Sequence, residues 1–277
     1  MDKESLTLNE IQQESLKILI KIDEICRKLD LKYFLAYGTL IGAIRHKGFI
    51  PWDDDIDIMM PRKDYIELKK YFDTHEEELK PLKICTRENV KNYEYYIPRV
   101  SNTNFKYINM IKRKPDVDLG TFVDIYPIDN FGNDDSAKEI VEKIRKINEE
   151  YVLYISGISN TQLYKTIIKY PLHLIKRLKR GKNYHLRINK NIDDIIAHSF
   201  SDDDKYVGVP AWIFRFVQYK REWMNDLIEV EFEGHKFYAP KNYDEILKLE
   251  YGNYMELPPE NQRFPHHDYK IVPKNIK

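Results

Sequence analysis

A chain of 277 residues can form one large domain or two small ones, and its 45 Lys+Arg against 45 Asp+Glu leave no net charge. That balance argues against a uniformly basic nucleic-acid binder, and Cys26 and Cys85 alone make neither a disulfide framework nor a metal cluster. The polar start MDKESLTLNE lacks a secretory apolar core, and no apolar run approaches the ~18 residues of a membrane span, so a cytoplasmic protein is expected.

The first predicted element is an amphipathic helix over residues 7–30. Leu8, Ile11, Ser15, Ile18, Leu19, Ile22, Ile25, Cys26 and Leu29 keep the spacing of a buried stripe, and Thr7 with Glu10 fits a capping box. A short strand follows at 33–36, a two-turn helix at 39–46, an alternating strand at 55–60 stopped by Pro61, and a helix at 62–72. Further strands are expected near 82–86, 95–100 and 121–126. From 134 to about 200 long charged helical segments take over, broken by Gly157, Pro171 and Gly181. Residues 227–240 read as a hairpin turning at Glu233-Gly234, and 242–252 as a helix stopped by Gly252. The fold class expected is α+β: a mixed sheet flanked by helices, with a helical insertion. The divisions are a core over 1–132, a basic helical insertion over 133–205, and a hairpin and C-terminal segment over 206–277 that complete the core.

The segment YGTLIGAIRHKGFIPWDDDIDIMMP, residues 37–61, gathers four aspartates in five positions and then alternates acid with isoleucine. On a strand, Asp53, Asp55 and Asp57 share one face, and Ile56, Ile58 and Met60 the other. Three crowded carboxylates repel unless a cation neutralises them, and hard oxygen ligands select Mg²⁺ or Mn²⁺. A solvated acidic loop is the plainer reading, but the apolar alternation weighs against it. A calcium loop fails, because Ile58 and Asp64 stand where an EF-hand needs Gly and Glu. Gly38-Thr39 sits where strand turns to helix, so the first helical amides and the Thr39 hydroxyl could hold a phosphate oxygen, although the pair is also an ordinary helix start. In TFVDIYPID, Asp124 stands between the core-directed Val123 and Ile125, placing it with Phe122 and Tyr126 on the other face; a buried structural hydrogen bond is the competing reading.

Together, GTLIGAIRHKGFIPWDDDIDI, FVDIYPID and the terminal YGNYMELPPENQRFPHH strongly resemble the LicD family, which includes bacterial phosphorylcholine transferases and fukutin-related proteins. The resemblance implies a nucleotidyltransferase-like fold and transfer of a phosphorylated alcohol from a CDP donor to a sugar hydroxyl. Asp55 and Asp57 match the metal-binding D-x-D pair, Asp124 the acid of the later strand, Gly38 and Thr39 the helix start, and Arg45 and His46 its basic end. Metal on the three aspartates would bridge the donor diphosphate, with attack at the β-phosphorus and CMP departing. Arg45 and Lys47 would clamp other phosphate oxygens, and Asp124 or Asp54 could act as base.

If the alcohol is choline, its ammonium needs an aromatic or acidic pocket; Trp52 and Trp212 are candidates, each also readable as core. Residues 165–190 carry nine Lys or Arg and no acid among apolar residues, which suits either an anionic membrane surface or pairing with SDDDK, residues 201–205. In the tail, the family match places His266 or His267 near the phosphates. The expectation is therefore a metal-dependent enzyme moving phosphorylcholine from CDP-choline to a lipid-linked glycan precursor of teichoic acid or lipopolysaccharide type. It would work at the cytoplasmic membrane face, with no nucleic-acid partner. Transfer of ribitol phosphate, NMP transfer to a small molecule, and a non-catalytic glycan-binding scaffold are the alternatives.

Overall fold

A computed structural model describes residues 5–110, 117–133, 137–156, 181, 183–212, 216–265 and 269–274. Helix α1 (Leu8–Leu29) opens on the expected capping box: the Thr7 side chain accepts from the Glu10 amide and the Glu10 carboxylate accepts from the Thr7 amide. Its stripe of Ile11, Ile18, Leu19, Ile22, Ile25 and Cys26 is buried, whereas Leu29 lies past the core at 37% exposure. The Cys26 thiol packs in that core, as its place on the stripe requires.

The architecture is α+β. Strands β1 (Phe34–Leu35), β2 (Asp57–Pro61), β3 (Leu82–Cys85), β4 (Arg99–Asn102) and β6 (Thr121–Asn130) lie in the order β1-β2-β6-β4-β3. The sheet is mixed: β2 runs parallel to β6, and β4 antiparallel to it. Helix α2 (Tyr37–His46) connects β1 to the loop before β2, and α3 (Arg62–Thr74) and the short α4 (Glu76–Leu79) connect β2 to β3. Alternation along the strands separates two faces. Leu35, Ile58, Val100, Val123 and Ile125 join α1 and α3 in the main core. Phe34, Met59 and Tyr126 face the other way, into a second apolar cluster.

Strand β5 (Phe105–Asn109) pairs with the C-terminal β11 (Tyr269–Pro273), a ladder that the sequence reading did not anticipate. Helices α5 (Ala137–Ser156) and α6 (Tyr184–Ser199) pack on each other through Ile144, Tyr151, Ile188 and Ile192. Strands β7 (Tyr206–Gly208) and β8 (Tyr219–Lys220) extend the far end of β6. The hairpin β9 (Leu227–Phe232) and β10 (His235–Pro240) turns at Glu233-Gly234, where φ is +50° and +75°. Positive φ at both central residues matches the twist of the flanking strands. Helix α7 (Tyr243–Tyr251) ends at Gly252, which takes φ +66°.

Two strand expectations need correction. The strand foreseen near 95–100 is β4, starting only at Arg99, because Pro98 has no amide to give a ladder. The strand foreseen at 55–60 begins at Asp57, so Asp53 and Asp55 lie in the preceding loop and strand alternation does not orient them. That loop is tied from three sides. The Asp53 amide donates to the Ile50 carbonyl (2.9 Å), Gln12 Nε2 to the Asp53 carbonyl (2.7 Å) and the Tyr269 hydroxyl to the Asp54 carbonyl (3.2 Å).

Candidate active site

Register across three strands builds the centre of the site. Asp57 of β2 lies opposite Asp124 of β6, and Asp124 lies opposite Arg99 of β4. Neighbours in register share a face, so the row Asp57–Asp124–Arg99 crosses the sheet on the side away from α1 and α3. Asp55 reaches the row from the loop: carboxylate oxygens of Asp55, Asp57 and Asp124 all lie within 4.8 Å of one another. Asp53, Asp54 and Asp55 form a second such group. The three acids expected from the sequence thus come together, although the loop, not the strand, delivers Asp55.

Asp57 and Asp124 are only 8% and 3% exposed. Arg99, itself 4% exposed, answers one charge with two hydrogen bonds to Asp124, from Nε and, at 3.0 Å, from Nη2. Its guanidinium lies between the Phe122 ring (3.9 Å) and the Tyr95 ring (4.2 Å), which fix its plane. Asp57 has less help. Burial first, and then the charges of Asp55, Asp124 and Asp53, push its carboxyl well above the usual carboxylate range, against a hydrogen bond from Tyr126. Its Oδ1 is buried with no hydrogen-bond partner. Three carboxyl groups thus converge beside one guanidinium that is bound to Asp124, and Asp57 adds an orphaned buried oxygen. A divalent cation with oxygen ligands meets both needs, so these residues fit Mg²⁺ or Mn²⁺.

The helix-start residues stand beside this row. Thr39 is buried, and its Oγ1 accepts from the Asp57 amide at 2.9 Å, pinning α2 to the first residue of β2. Gly38 faces the Asp53 carboxylate so closely that a Cβ there would lie 2.6 Å from Oδ2. Glycine at this position therefore makes room for an acid of the chain. Tyr37, at φ +47°, is a non-glycine residue in the left-handed region at the same turn.

Arg45, His46 and Lys47 lie at the opposite end of the ten-residue α2 from Thr39, about 9 Å farther along its axis. Arg45 Nη1 donates to the carbonyls of Tyr254 (2.5 Å) and Glu256 (3.2 Å), and its Nε donates to His46 Nε2 (3.0 Å). The guanidinium thus binds the segment after α7. Lys47 caps the helix in the left-handed conformation, with an exposed side chain. Asp54 is buried in the loop. Trp52 packs on the main core, with the Arg263 guanidinium 5.7 Å from its ring. Trp212 meets Tyr126 edge-on at 5.0 Å, and Tyr126 meets Tyr37 at 4.8 Å, so an aromatic group reaches Asp57 through the Tyr126 hydroxyl. His266 and His267, and residues 165–180 and 182 of the basic segment, lie outside the described residues.

Sequence reasoning missed Arg99, Tyr126 and Tyr269. A signal for Arg99 was present in YIPRVSN, a charged residue between Pro98 and Val100 where a strand was expected, although Arg99 opens β4 and is not centred in it as Asp124 is in β6. No helix among the described residues is long and apolar enough to cross a membrane.

Comparison with known proteins covers the segment that carries these residues. The family model described as LicD/FKTN/FKRP, nucleotidyltransferase domain, matches residues 30–134, which include Asp55, Asp57, Arg99 and Asp124. The lipopolysaccharide cholinephosphotransferase LicD of Haemophilus influenzae is 32% identical over 272 residues, covering 95% of this chain and 96% of that protein. Uncharacterized proteins of Rickettsia prowazekii and Rickettsia typhi are 37% and 35% identical over 68 and 69 residues, about a quarter of this chain and 23% and 20% of theirs.

Proposed function

Because the chain belongs to the LicD family, we propose that it transfers phosphorylcholine from CDP-choline to a hydroxyl of a lipopolysaccharide-type glycan. The observation that carries the reaction class is the buried, unpartnered Oδ1 of Asp57 among the carboxylates of Asp55 and Asp124. Acids so placed have little use in folding and an evident one in holding Mg²⁺ against a diphosphate. When bound, the cation supplies charge neutralisation to the donor phosphates and the departing CMP.

The chain's own residues do the positioning. Arg99 holds the Asp124 carboxylate in plane, so that ligand is fixed before a donor arrives, and the Tyr126 hydroxyl favours the charged form of Asp57. Thr39 sets where β2 begins, and hence where Asp57 points. The choline ammonium would sit against the Tyr37–Tyr126–Trp212 group, where a cation–π contact contributes roughly 0.5–2 kcal/mol. The acceptor hydroxyl would attack the β-phosphorus, with Asp124 or Asp54 available to take its proton. The basic segment 165–190 would face an anionic surface carrying the lipid-linked acceptor.

Calorimetric titration of CDP-choline with and without Mg²⁺, on wild type and on Asp55→Asn/Asp57→Asn, tests the reading, with CDP-ribitol and CTP as competitors. The expected result is Mg²⁺-dependent binding of CDP-choline that the double variant loses. Preference for CDP-ribitol or CTP would overturn the choline assignment, and binding indifferent to Mg²⁺ would overturn the metal.

A further inference from the structure

A cavity of about 870 Å³ opens between α3, the 86–98 loop, α6 and the far end of β6. It is not the site of the aspartates. Asp129 in its wall has the strand parity of Val123 and Ile125, on the α3 side of the sheet, and stands five residues beyond Asp124, roughly 16 Å along the strand.

Two side chains in this wall are incompletely satisfied. Arg87 is 3% exposed. Its Nη2 donates to the Glu94 carbonyl and to Asn148 Oδ1, and its Cζ lies 4.2 Å from the Tyr151 ring centroid, yet Nε and Nη1 have no hydrogen-bond partner. No carboxylate among the described residues forms an ion pair with it. The other cations of the wall are engaged: Arg62 with Asp129 at 2.5 Å, and Lys69 with Asp73 at 2.8 Å and Glu88 at 3.9 Å. Burial lowers the Arg87 pKa to about 10, which still leaves it charged at neutral pH. On α6, Asn189 Oδ1 is a buried acceptor without a donor. The acids of the wall are also held, Asp193 by the Tyr96 hydroxyl and Asp202 by Asn130.

A buried cation without a counter-charge and a buried acceptor without a donor call for one ligand that brings both an anion and hydroxyl groups. Tyr65 and Tyr96 add aromatic surface to the same wall, and the volume suits a small ligand. We infer that this cavity is a second binding site, for a saccharide bearing a carboxylate or phosphate, with the anion on Arg87 and a hydroxyl on Asn189. The choice of a saccharide rests on the transferase reading: a glycan acceptor would be gripped at one unit on this face while another unit is modified across the sheet.

Saturation-transfer NMR on the full chain, with galacturonate, galactose 6-phosphate, galactose and inorganic phosphate as probes, tests it. At least one acidic sugar should bind wild type and Asp57→Asn equally, and bind Arg87→Met at least tenfold more weakly. Galactose and inorganic phosphate should both be weaker than that sugar. Galacturonate binding alone identifies a sugar acid, and galactose 6-phosphate alone a sugar phosphate. Absence of binding by both, affinity unchanged in Arg87→Met, or galactose or phosphate as good as the acidic sugar would each overturn the site. Should Arg87→Met not fold, Asn189→Ala and Arg87→Lys decide by the same comparison, each expected to weaken binding severalfold. Sugar binding that persists while CDP-choline and CDP-ribitol both fail to bind in the presence of Mg²⁺ would sink the transferase reading alone.

Discussion

At Asp57 and Arg99 the same buried row holds an acid without enough positive charge and a base with its charge matched, so the two residues should respond oppositely to mutation. Without a divalent cation, Asp57 is held ionised only against burial and three neighbouring acids. Asp57→Asn should therefore unfold at a higher temperature than wild type in EDTA, while transfer falls by more than about a hundredfold. Magnesium at a hundred times its Kd should add about 2.7 kcal/mol to wild type and nothing to the variant, a contrast that scanning calorimetry reads directly. Arg99→Met does the reverse. It leaves Asp124 buried without its guanidinium and should cost about 3–5 kcal/mol in urea unfolding, and Arg99→Met/Asp124→Leu should recover most of that. A single variant as stable as wild type would mean that Asp124 does not depend on the pair. Asp57 and Asp124 were legible because alternation marks a strand face, whereas the place of Asp55 was not, since it stands in the loop before the strand. Their partner was not, since β4 meets β6 only through long-range pairing that YIPRVSN does not encode locally.

Helix α2 acts as a strut with a distinct anchor at each end. At its start the Thr39 hydroxyl takes the Asp57 amide, and at its finish Arg45 takes the carbonyls of Tyr254 and Glu256. Thr39→Val keeps the shape and removes the acceptor. A buried amide without its partner should cost about 1–3 kcal/mol and, because that amide belongs to a metal ligand, should raise the Mg²⁺ concentration needed for half-maximal turnover. Loss of stability with no change in Mg²⁺ dependence would confine Thr39 to folding. The far anchor is sensitive to pH. Burial, and then the Arg45 charge, lower the His46 pKa below its ordinary value, and the neutral ring accepts from Arg45 Nε. A histidine with a depressed folded pKa lends stability that is whole above the unfolded pKa of about 6.5 and is lost as pH falls through the folded value. His46→Gln should therefore flatten the stability profile on the acid side of about pH 6.5 while leaving it similar at pH 8. The GTLIGAIRH pattern announces a helix start and a basic end, but it does not announce that both ends are tethers, because the tethered groups lie 18 and more than 200 residues away.

Across the whole molecule, elements defined by local patterns were legible: the capped α1, the strand–helix–strand around the aspartates, the 227–240 hairpin and α7. What escaped was closure by distant chain. Strand β11 is five residues long and ends in proline, so nothing in YKIVP separates it from a loose tail until β5 offers a ladder. Once paired, it matters at two places. Ile271 is fully buried beside Cys85, Tyr93 and Phe122, and its carbonyl takes the Leu6 amide at 2.8 Å, which closes the start of the chain onto its end. Two residues earlier, the Tyr269 hydroxyl holds the Asp54 carbonyl, next to the metal-ligand candidate Asp55. The C-terminal strand should thus support both the core and the geometry of the acidic loop, and two variants separate these roles. Ile271→Ala should cost about 2–5 kcal/mol in urea unfolding by opening a cavity. Tyr269→Phe should cost only about 0.5–1.5 kcal/mol, yet it should shift the Mg²⁺ titration of CDP-choline binding to higher concentration by freeing the loop. If Tyr269→Phe leaves that titration in place, the loop is held sufficiently by Gln12 and Ile50, and β11 serves the core alone.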